Sequence, residues 1–251
     1  MTEAHAIAKE RFAADPSKCF QRHIRELHSE LDPREPIASL DGATVEKISK
    51  AEAEALILKN EWLGTLGTGA VAFYGLKIAG ELLGAAVFGV GSSNEARNVC
   101  GEENRALVVT LMRGCCVHYA PKNAPSFLVR YACKLASAEH GWKVFIAYSD
   151  PSAGEIGQIY QAANWHFIGA GMGRPQGSVH IGWRTPDGST ISSRSRRLTK
   201  KQCLARGYTP NVEKPKGRWV WFEAECERLK AQCRYPFQKY PKRVAPMEEK
   251  A

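Results

Sequence analysis

The chain has 251 residues, 44% of them hydrophobic, which is enough to bury the core of one large domain or of a domain with an appendage. No apolar run approaches the ~18 residues of a membrane span, and the first 20 residues lack the apolar centre of a signal peptide, so we expect neither a membrane protein nor an exported one. The net charge is +9, and residues 172–251 hold 18 Lys and Arg against 7 Asp and Glu. Positive charge concentrated in this way favours a polyanionic partner, and a solvated basic tail is the alternative.

The eight cysteines have irregular spacing and include no C-x-x-C pair, which argues against a zinc ribbon. Without an export signal, free thiols in a reducing cytoplasm are expected. Cys115 and Cys116 with His118 resemble metal ligands, but strand alternation would point the two cysteines to opposite faces. They are therefore interpreted as small core residues, and the sequence assigns no metal site.

Residues 1–42 mix charges with prolines, Pro33 and Pro36 among them, and show little periodicity, which predicts a loosely structured or wrapping arm. A capping box at Ser49–Glu52 predicts the start of a helix that ends near residues 62–64. The apolar runs 70–78 and 82–90, separated by a short Gly-containing turn, predict a β-hairpin.

A long β-rich run over residues 105–119 is followed by a predicted helix over Ser126–His140, which Gly141 ends. The next strand, over 142–148, should lie parallel to the first because the helix between them forms a right-handed crossover. Further strands are predicted on both sides of Thr185–Gly188 and over 218–222, and a last helix over 223–233.

These elements predict an α/β fold with a mixed central sheet flanked by helices, and a basic C-terminal extension of strands and a helix. We divide the chain into an N-terminal arm (1–42), a catalytic core (43–171) and a basic extension (172–251). The extension is expected to complete the sheet and to contact nucleic acid.

Asp150 and Tyr160 are the first candidate site residues. Ligands of open α/β sheets bind beyond the carboxyl ends of the strands, and Asp150 comes where the apolar strand ends. In that position Asp150 could accept a proton from an attacking amine, and Tyr160 on the next helix could donate one to a departing group. The alternatives are a helix cap before Pro151 for the aspartate and a core aromatic for the tyrosine.

Arg113 lies inside an apolar strand, so it must find an anion there. That anion is either a carboxylate such as Asp150 or an anionic ligand. The helix start that contains Lys122, Asn123 and Ser126 combines free backbone N–H groups with a lysine, a combination that binds phosphate or carboxylate.

The segment 192–218 has nine Lys and Arg, with Ser, Thr and Tyr between them and Trp219 after it. This composition suits phosphate contacts with a stacking surface nearby, and it does not separate RNA from DNA. The residues predicted to bind nucleic acid are Arg194, Arg196, Arg197, Lys200, Lys201, Lys216 and Arg218.

The order of elements is similar to that of the GNAT acyltransferase fold, and within it the sequence resembles the Mom family of phage DNA-modification proteins over roughly residues 45–240. The most specific block is Ile-Tyr-Gln-Ala-Ala-Asn-Trp at 159–165, followed by Gly169. The other matches are Leu111-Met112-Arg113, Asn123-x-x-Ser126, Tyr148-Ser149-Asp150, Ser192–Arg197 and Lys216–Val220.

The resemblance implies roles for Arg113, Ser126, Asp150 and Tyr160, which match positions regarded as functional in the family. The family places a carbamoylmethyl group on N6 of adenine in phage DNA, which shields the DNA from host restriction enzymes. The resemblance thus implies a DNA-modifying transferase in the host cell cytoplasm, with double-stranded DNA and a small-molecule donor as partners.

Two features depart from these relatives. GNAT enzymes usually cradle coenzyme A with a Gly-rich loop, but residues 119–126 contain no glycine, so the donor, acetyl-CoA or a related compound, stays open. Family members often have a His-Tyr pair proposed to serve an iron site, where this chain has Glu61-Trp62. The alternative functions are a GNAT-fold acyl-CoA N-acyltransferase acting on a small amine or a protein lysine, and a non-catalytic nucleic-acid-binding protein.

Overall fold

The computed structural model describes residues 3–91, 94–171, 180–186, 190–191, 198–213, 215–224 and 226–242. The helices in this part of the chain are α1 (Glu3–Ala14), α2 (Phe20–Leu31), α3 (Lys50–Asn60), α4 (Asn94–Arg97), α5 (Ala124–His140), α6 (Gln158–Ala162), α7 (Lys200–Ala205) and α8 (Glu227–Ala231). The strands are β1 (Thr44–Lys47), β2 (Ala70–Ile78), β3 (Glu81–Gly89), β4 (Val108–Cys116), β5 (Val144–Ser149), β6 (His166–Ala170), β7 (His180–Arg184), β8 (Thr190–Ile191), β9 (Thr209–Glu213) and β10 (Gly217–Phe222).

Seven strands form a mixed sheet in the order β1-β2-β3-β4-β5-β10-β6, and β8-β7-β9 form a second, smaller sheet. The β2–β3 hairpin and the parallel pairing of β4 with β5 are as predicted. The predicted fold class, a mixed central sheet flanked by helices with a C-terminal extension of strands and a helix, is confirmed. The β10 strand lies between β5 and β6 and is antiparallel to both.

The parallel strands β4 and β5 separate from each other towards their carboxyl ends. The ladder joins only Val108–Thr110 of β4 to Val144–Ile146 of β5. Later residues of β4 pair with β3, and later residues of β5 pair with β10. The two central strands therefore diverge, and the opening between them is where the candidate site lies.

Helices α3 and α5 cover opposite faces of the sheet. Successive strand residues point to opposite faces, and Ala85 and Val87 of β3 pack with α3, whereas Ala86 and Phe88 pack with α5. The predicted capping box at the start of α3 is present, and Gly141 ends α5 in the left-handed conformation with φ of 73°.

Of the two expectations for residues 1–42, a loosely structured arm or a wrapping one, the loosely structured arm was wrong, because the segment contains α1 and α2. Phe20, Ile24 and Leu27 recur at helical spacing and are buried. Two histidines, His23 and His28, complete the buried face of α2. When they are counted as polar residues, the helical periodicity of the buried positions is not visible in the sequence.

The last helix is shorter than the predicted span 223–233. It begins at Glu227 because Glu223 still follows the strand, with its N–H donating to the carbonyl of Lys143. Across the described ranges, none of the helices has the length and apolar character that crossing a bilayer requires.

Candidate active site

A small cavity of about 40 Å³ lies where β4 and β5 diverge. It is bounded by the end of β4, the first turns of α5 and the helix α6. Its lining side chains are mostly apolar, and they include the phenol of Tyr160 and the thiols of Cys115 and Cys116. The lining residues include Leu111, Gly114, Cys116, Pro125, Leu128 and Tyr160.

Tyr160 projects from α6 into this cavity, and its ring packs against Trp165 and Trp219 at centroid distances of 5.3 and 5.6 Å. Its hydroxyl donates to the carbonyl oxygen of Tyr148 at 3.4 Å, a long hydrogen bond that leaves the proton available to a closer acceptor. Burial, together with the nearby carboxylates, raises the pKa of Tyr160 well above its ordinary value. The phenol therefore keeps its proton at neutral pH.

The position of Tyr160 depends on Gly157, which precedes α6 and has φ of 71°. A Cβ atom at residue 157 would collide with the indole ring of Trp219. Trp219 is fixed in turn by a hydrogen bond from its Nε1 to Ser149 Oγ at 3.0 Å. The absence of a side chain at residue 157 thus lets α6 approach the sheet closely.

Asp150 acts as the cap that the alternative interpretation expected. Its Oδ1 accepts from the N–H of Ser152 at 2.9 Å, at the start of a 3₁₀ turn. Its Oδ2 lies 3.0 Å from Nζ of Lys216. Lys216 was predicted to bind nucleic acid, and the structure pairs it with the predicted proton acceptor.

Arg113 pairs with Glu61 in the described structure, where the sequence had left open either a carboxylate such as Asp150 or an anionic ligand. Its Nε donates to the carbonyl of Thr65 at 2.7 Å, and its Nη1 donates to the carbonyl of Met112 at 2.6 Å. The Arg113 Nε lies 3.9 Å from Oε2 of Glu61. Arg113 is therefore a largely buried cation, its side chain 19% exposed, on the β4 side of the opening.

Glu61 is a candidate site residue that sequence reasoning missed, except as a departure from the His-Tyr pair. It is buried directly after α3, and its Oε2 accepts from the N–H of Leu63 at 3.0 Å. Burial raises its pKa to about 7, against the opposing effect of the Arg113 guanidinium. A carboxyl group with this pKa exchanges its proton at neutral pH, which suits a general base.

Glu155 is a second missed acid, located between Asp150 and α6. Its side chain accepts from the backbone N–H of Asp150 at 2.8 Å and from Nε1 of Trp62 at 2.9 Å. Burial raises its pKa, and its charge also raises the pKa of Glu61 and of Tyr160. Glu61, Glu155 and Tyr160 thus form a cluster of three acids, which we call the acid cluster, beside the Arg113 cation.

The N-terminal helices hold the Glu61 segment in place. His28, Gln21 and His5 make side-chain hydrogen bonds to three consecutive carbonyls, those of residues 59, 60 and 61. Gln21 also accepts from the N–H of Trp62 at 3.0 Å. These hydrogen bonds fix the backbone at the end of α3, and they therefore fix the position of Glu61 in the acid cluster.

The predicted donor site lies at the start of α5, next to the cavity wall that Pro125 forms. Ser126 Oγ donates to the carbonyl of Asn123 at 3.0 Å, and the side chains of Lys122 and Asn123 are exposed. The predicted binding of a donor phosphate or carboxylate there stays a prediction.

The predicted nucleic-acid residues do not form one described surface. Lys200 and Lys201 are exposed on α7, and Lys216 is at the mouth of the site with Asp150. Arg218 is buried, with its Nη2 donating to the carbonyl of Ile168 and its guanidinium 4.1 Å from the ring centroid of Tyr235. Arg194, Arg196 and Arg197 lie outside the described residues.

The iron that the family resemblance implied does not fit the residues found at its place. Glu61 faces the Arg113 guanidinium, and the Trp62 indole is a hydrogen-bond donor without a lone pair for a metal. Over the part of the chain that the structure describes, no three His, Cys, Asp or Glu side chains are grouped to hold a metal ion.

Comparison with curated protein sequences gave no match. Among solved structures, the chain is similar to an IAA acetyltransferase from Bacillus cereus (14% identity, 72% of this chain and 99% of that one, TM-score 0.42). It is also similar to an aminoglycoside acetyltransferase in complex with coenzyme A and kanamycin (14% identity, 75% and 99%, TM-score 0.44). A GNAT family acetyltransferase from Elizabethkingia anophelis with bound acetyl-CoA matches as well (11% identity, 73% and 99%, TM-score 0.39).

These likenesses are in line with the expected GNAT-like fold, but their TM-scores are below 0.5 and no argument rests on them. The sequence itself gives the stronger result. The model of the Mom protein family matches residues 42–242, which is most of the chain and includes every candidate site residue. The chain belongs to the Mom protein family.

Proposed function

We propose that this protein is a transferase that places a small acyl-like group, carbamoylmethyl or a related one, on N6 of adenine in DNA, protecting phage DNA from host restriction. The observation that carries the transferase part is Tyr160, which lines the cavity between β4, α5 and α6 and lies within electrostatic reach of the buried Glu61 and Glu155. Membership of the Mom protein family supports the adenine substrate.

The chemistry requires a base because the lone pair of N6 is delocalised into the adenine ring. In the proposed step, N6 forms a bond to carbon of the transferred group, and the bond from that carbon to its leaving group breaks. The N6 proton passes to Glu61, whose pKa of about 7 suits an acceptor at neutral pH. The leaving group takes a proton from the Tyr160 hydroxyl.

Asp150 is less suited to be the proton acceptor than the sequence suggested, because both of its oxygens are occupied. One accepts from a backbone N–H and the other pairs with Lys216. We assign Asp150 to the shape of the β5–α6 connection, and we assign Lys122, Asn123 and Ser126 to the donor.

The DNA part of the proposal needs a base pair to open, since N6 takes part in pairing within the duplex. Enzymes that act on a base extrude it into a pocket and hold it by stacking and edge hydrogen bonds. The excess positive charge of residues 172–251 would attract the phosphates, and duplex binding should weaken steeply as salt increases.

Mass spectrometry of nucleosides from the DNA of cells that express the protein tests the function. A heavier deoxyadenosine, present only with the intact protein, would support the proposal, and its mass would identify the transferred group. Unmodified DNA, with expression of folded protein confirmed, would contradict it and redirect the search to RNA, protein or small-amine substrates.

In the same assay, Asp150→Asn is expected to keep the yield of modified deoxyadenosine within about tenfold of the wild type, because the change removes one ion pair whose lysine is exposed and no group that we assign to proton transfer. The amide oxygen of asparagine still accepts from the Ser152 N–H. If modification disappears while thermal unfolding stays normal, Asp150 itself is the proton acceptor.

A further inference from the structure

The outward face of α5 combines cations with aromatic rings. Lys122 precedes the helix, and the exposed Arg130 and Lys134 follow about two and three helical turns later. Phe127 and Tyr131 lie between them with ring centroids 4.4 Å apart, and Lys134 Nζ is 5.5 Å from the Tyr131 centroid. We call these five residues the basic aromatic face.

The protein core explains this face only in part, because Phe127 packs against the core but the other four residues do not. The opposite side of α5 supplies the buried residues, whereas the Tyr131 side chain is 42% exposed. None of the three cations forms an ion pair with a residue that the structure describes. The single acid of α5, Glu139, is engaged at the far end by Lys47 and Tyr74.

The size and place of the face indicate its ligand. From Lys122 to Lys134 it extends about 18 Å along the helix axis, longer than one nucleotide and matched to a row of phosphates. It begins at the rim of the cavity, because Pro125 and Leu128 of the same helix line that cavity. A strand that lies along the face would therefore reach the cavity that Tyr160 lines.

We propose that the basic aromatic face binds an unpaired stretch of DNA strand next to the cavity, an inference that rests on the proposed function. Arg130 and Lys134 contact successive phosphates, Lys122 marks the end of the face where the donor binds, and the Phe127–Tyr131 pair stacks with bases that have left the duplex. Aromatic side chains between cations are the usual means of holding single-stranded nucleic acid. Opening one base pair to expose N6 creates such a stretch at this rim.

Fluorescence anisotropy tests the inference with two labelled DNAs of equal length, a full duplex and the same duplex with a short unpaired bubble, across a range of salt concentrations. The variants are Arg130→Gln/Lys134→Gln and Tyr131→Ala. The matched control is Lys50→Gln/Lys59→Gln, which removes the same charge from α3 on the opposite face of the sheet. Thermal unfolding of each variant confirms that it is folded.

We expect the Arg130→Gln/Lys134→Gln variant to bind bubble DNA about tenfold more weakly, with a salt slope lower by about 1.4, as for two lost phosphate contacts to a single strand. We expect Tyr131→Ala to lose about tenfold for bubble DNA and little for the full duplex. The inference is overturned if Tyr131→Ala leaves bubble binding unchanged, or if the α3 control loses as much as the α5 variant. If the wild type binds neither DNA, the proposed function is overturned together with the inference. If the wild type binds DNA and only the variants behave unexpectedly, the inference alone is overturned.

Discussion

Glu61→Gln is expected to lower the rate of modification by about 10²–10⁴-fold, because it removes the group we assign as general base. The same change should make the protein more stable at alkaline pH. The folded-state pKa of Glu61 is about 7, above its ordinary value of 4.5, so the folded protein binds this proton more tightly than the unfolded chain does. That stabilisation is complete below pH 4.5 and is lost as the pH rises through 7.

The difference between the folded and unfolded pKa of Glu61 corresponds to about 3 kcal/mol of folding free energy, at about 1.4 kcal/mol for each pKa unit. Denaturant unfolding of the wild type and the variant at pH 4.5 and pH 8.5 measures it, and the gap between them should grow by about that amount with pH. The control is Glu10→Gln, which makes the same replacement at an exposed position of α1. A variant that is less stable at both pH values would show instead that an ionised Glu61, paired with Arg113, stabilises the fold.

Gly157→Ala is expected to destabilise the protein by about 2–5 kcal/mol and to reduce modification strongly. An L-residue in the left-handed region costs ~1–2 kcal/mol, and an added methyl in a packed site costs ~1–3 kcal/mol more. The methyl group would meet the Trp219 indole, so α6 would have to move and take Tyr160 out of the cavity. Thermal and denaturant unfolding, with the nucleoside assay, test both effects.

Gly141→Ala separates the two causes. Gly141 has a nearly equal φ of 73°, but a Cβ atom there would have nothing within 4 Å. Gly141→Ala should therefore show only the free-energy cost of placing an L-residue in the left-handed backbone conformation. Equal destabilisation by the two substitutions would mean that the contact with Trp219 contributes nothing.

The sequence predicted the elements whose signals are local. The β2–β3 hairpin, the capping box before α3 and the glycine that ends α5 depend on neighbouring residues only, and all are present. The N-terminal helices were missed because part of their buried face consists of histidines. Their ring nitrogens bond to backbone carbonyls, and these partners become visible only when the chain is folded.

The candidate site was predicted less completely, for a physical reason. Whether Asp150 is a base or a cap depends on Lys216, which is distant in sequence and becomes its neighbour only because β10 pairs with β5. Likewise, Glu61 and Glu155 look like ordinary surface acids in the sequence. Their altered proton affinity comes from burial beneath elements that lie far from them along the chain.

The hydrogen bonds from the N-terminal helices to the end of α3 fix the position of residue 61 without depending on its side chain. The three side chains that fasten this segment come from residues 5–28, before the family match begins at residue 42, and they grip main-chain oxygens. Main-chain oxygens are the same for every amino acid. Position 61 can therefore exchange a carboxylate for another reactive side chain without any change in the scaffold that presents it, so the chemistry of this site is free to vary while its geometry is retained.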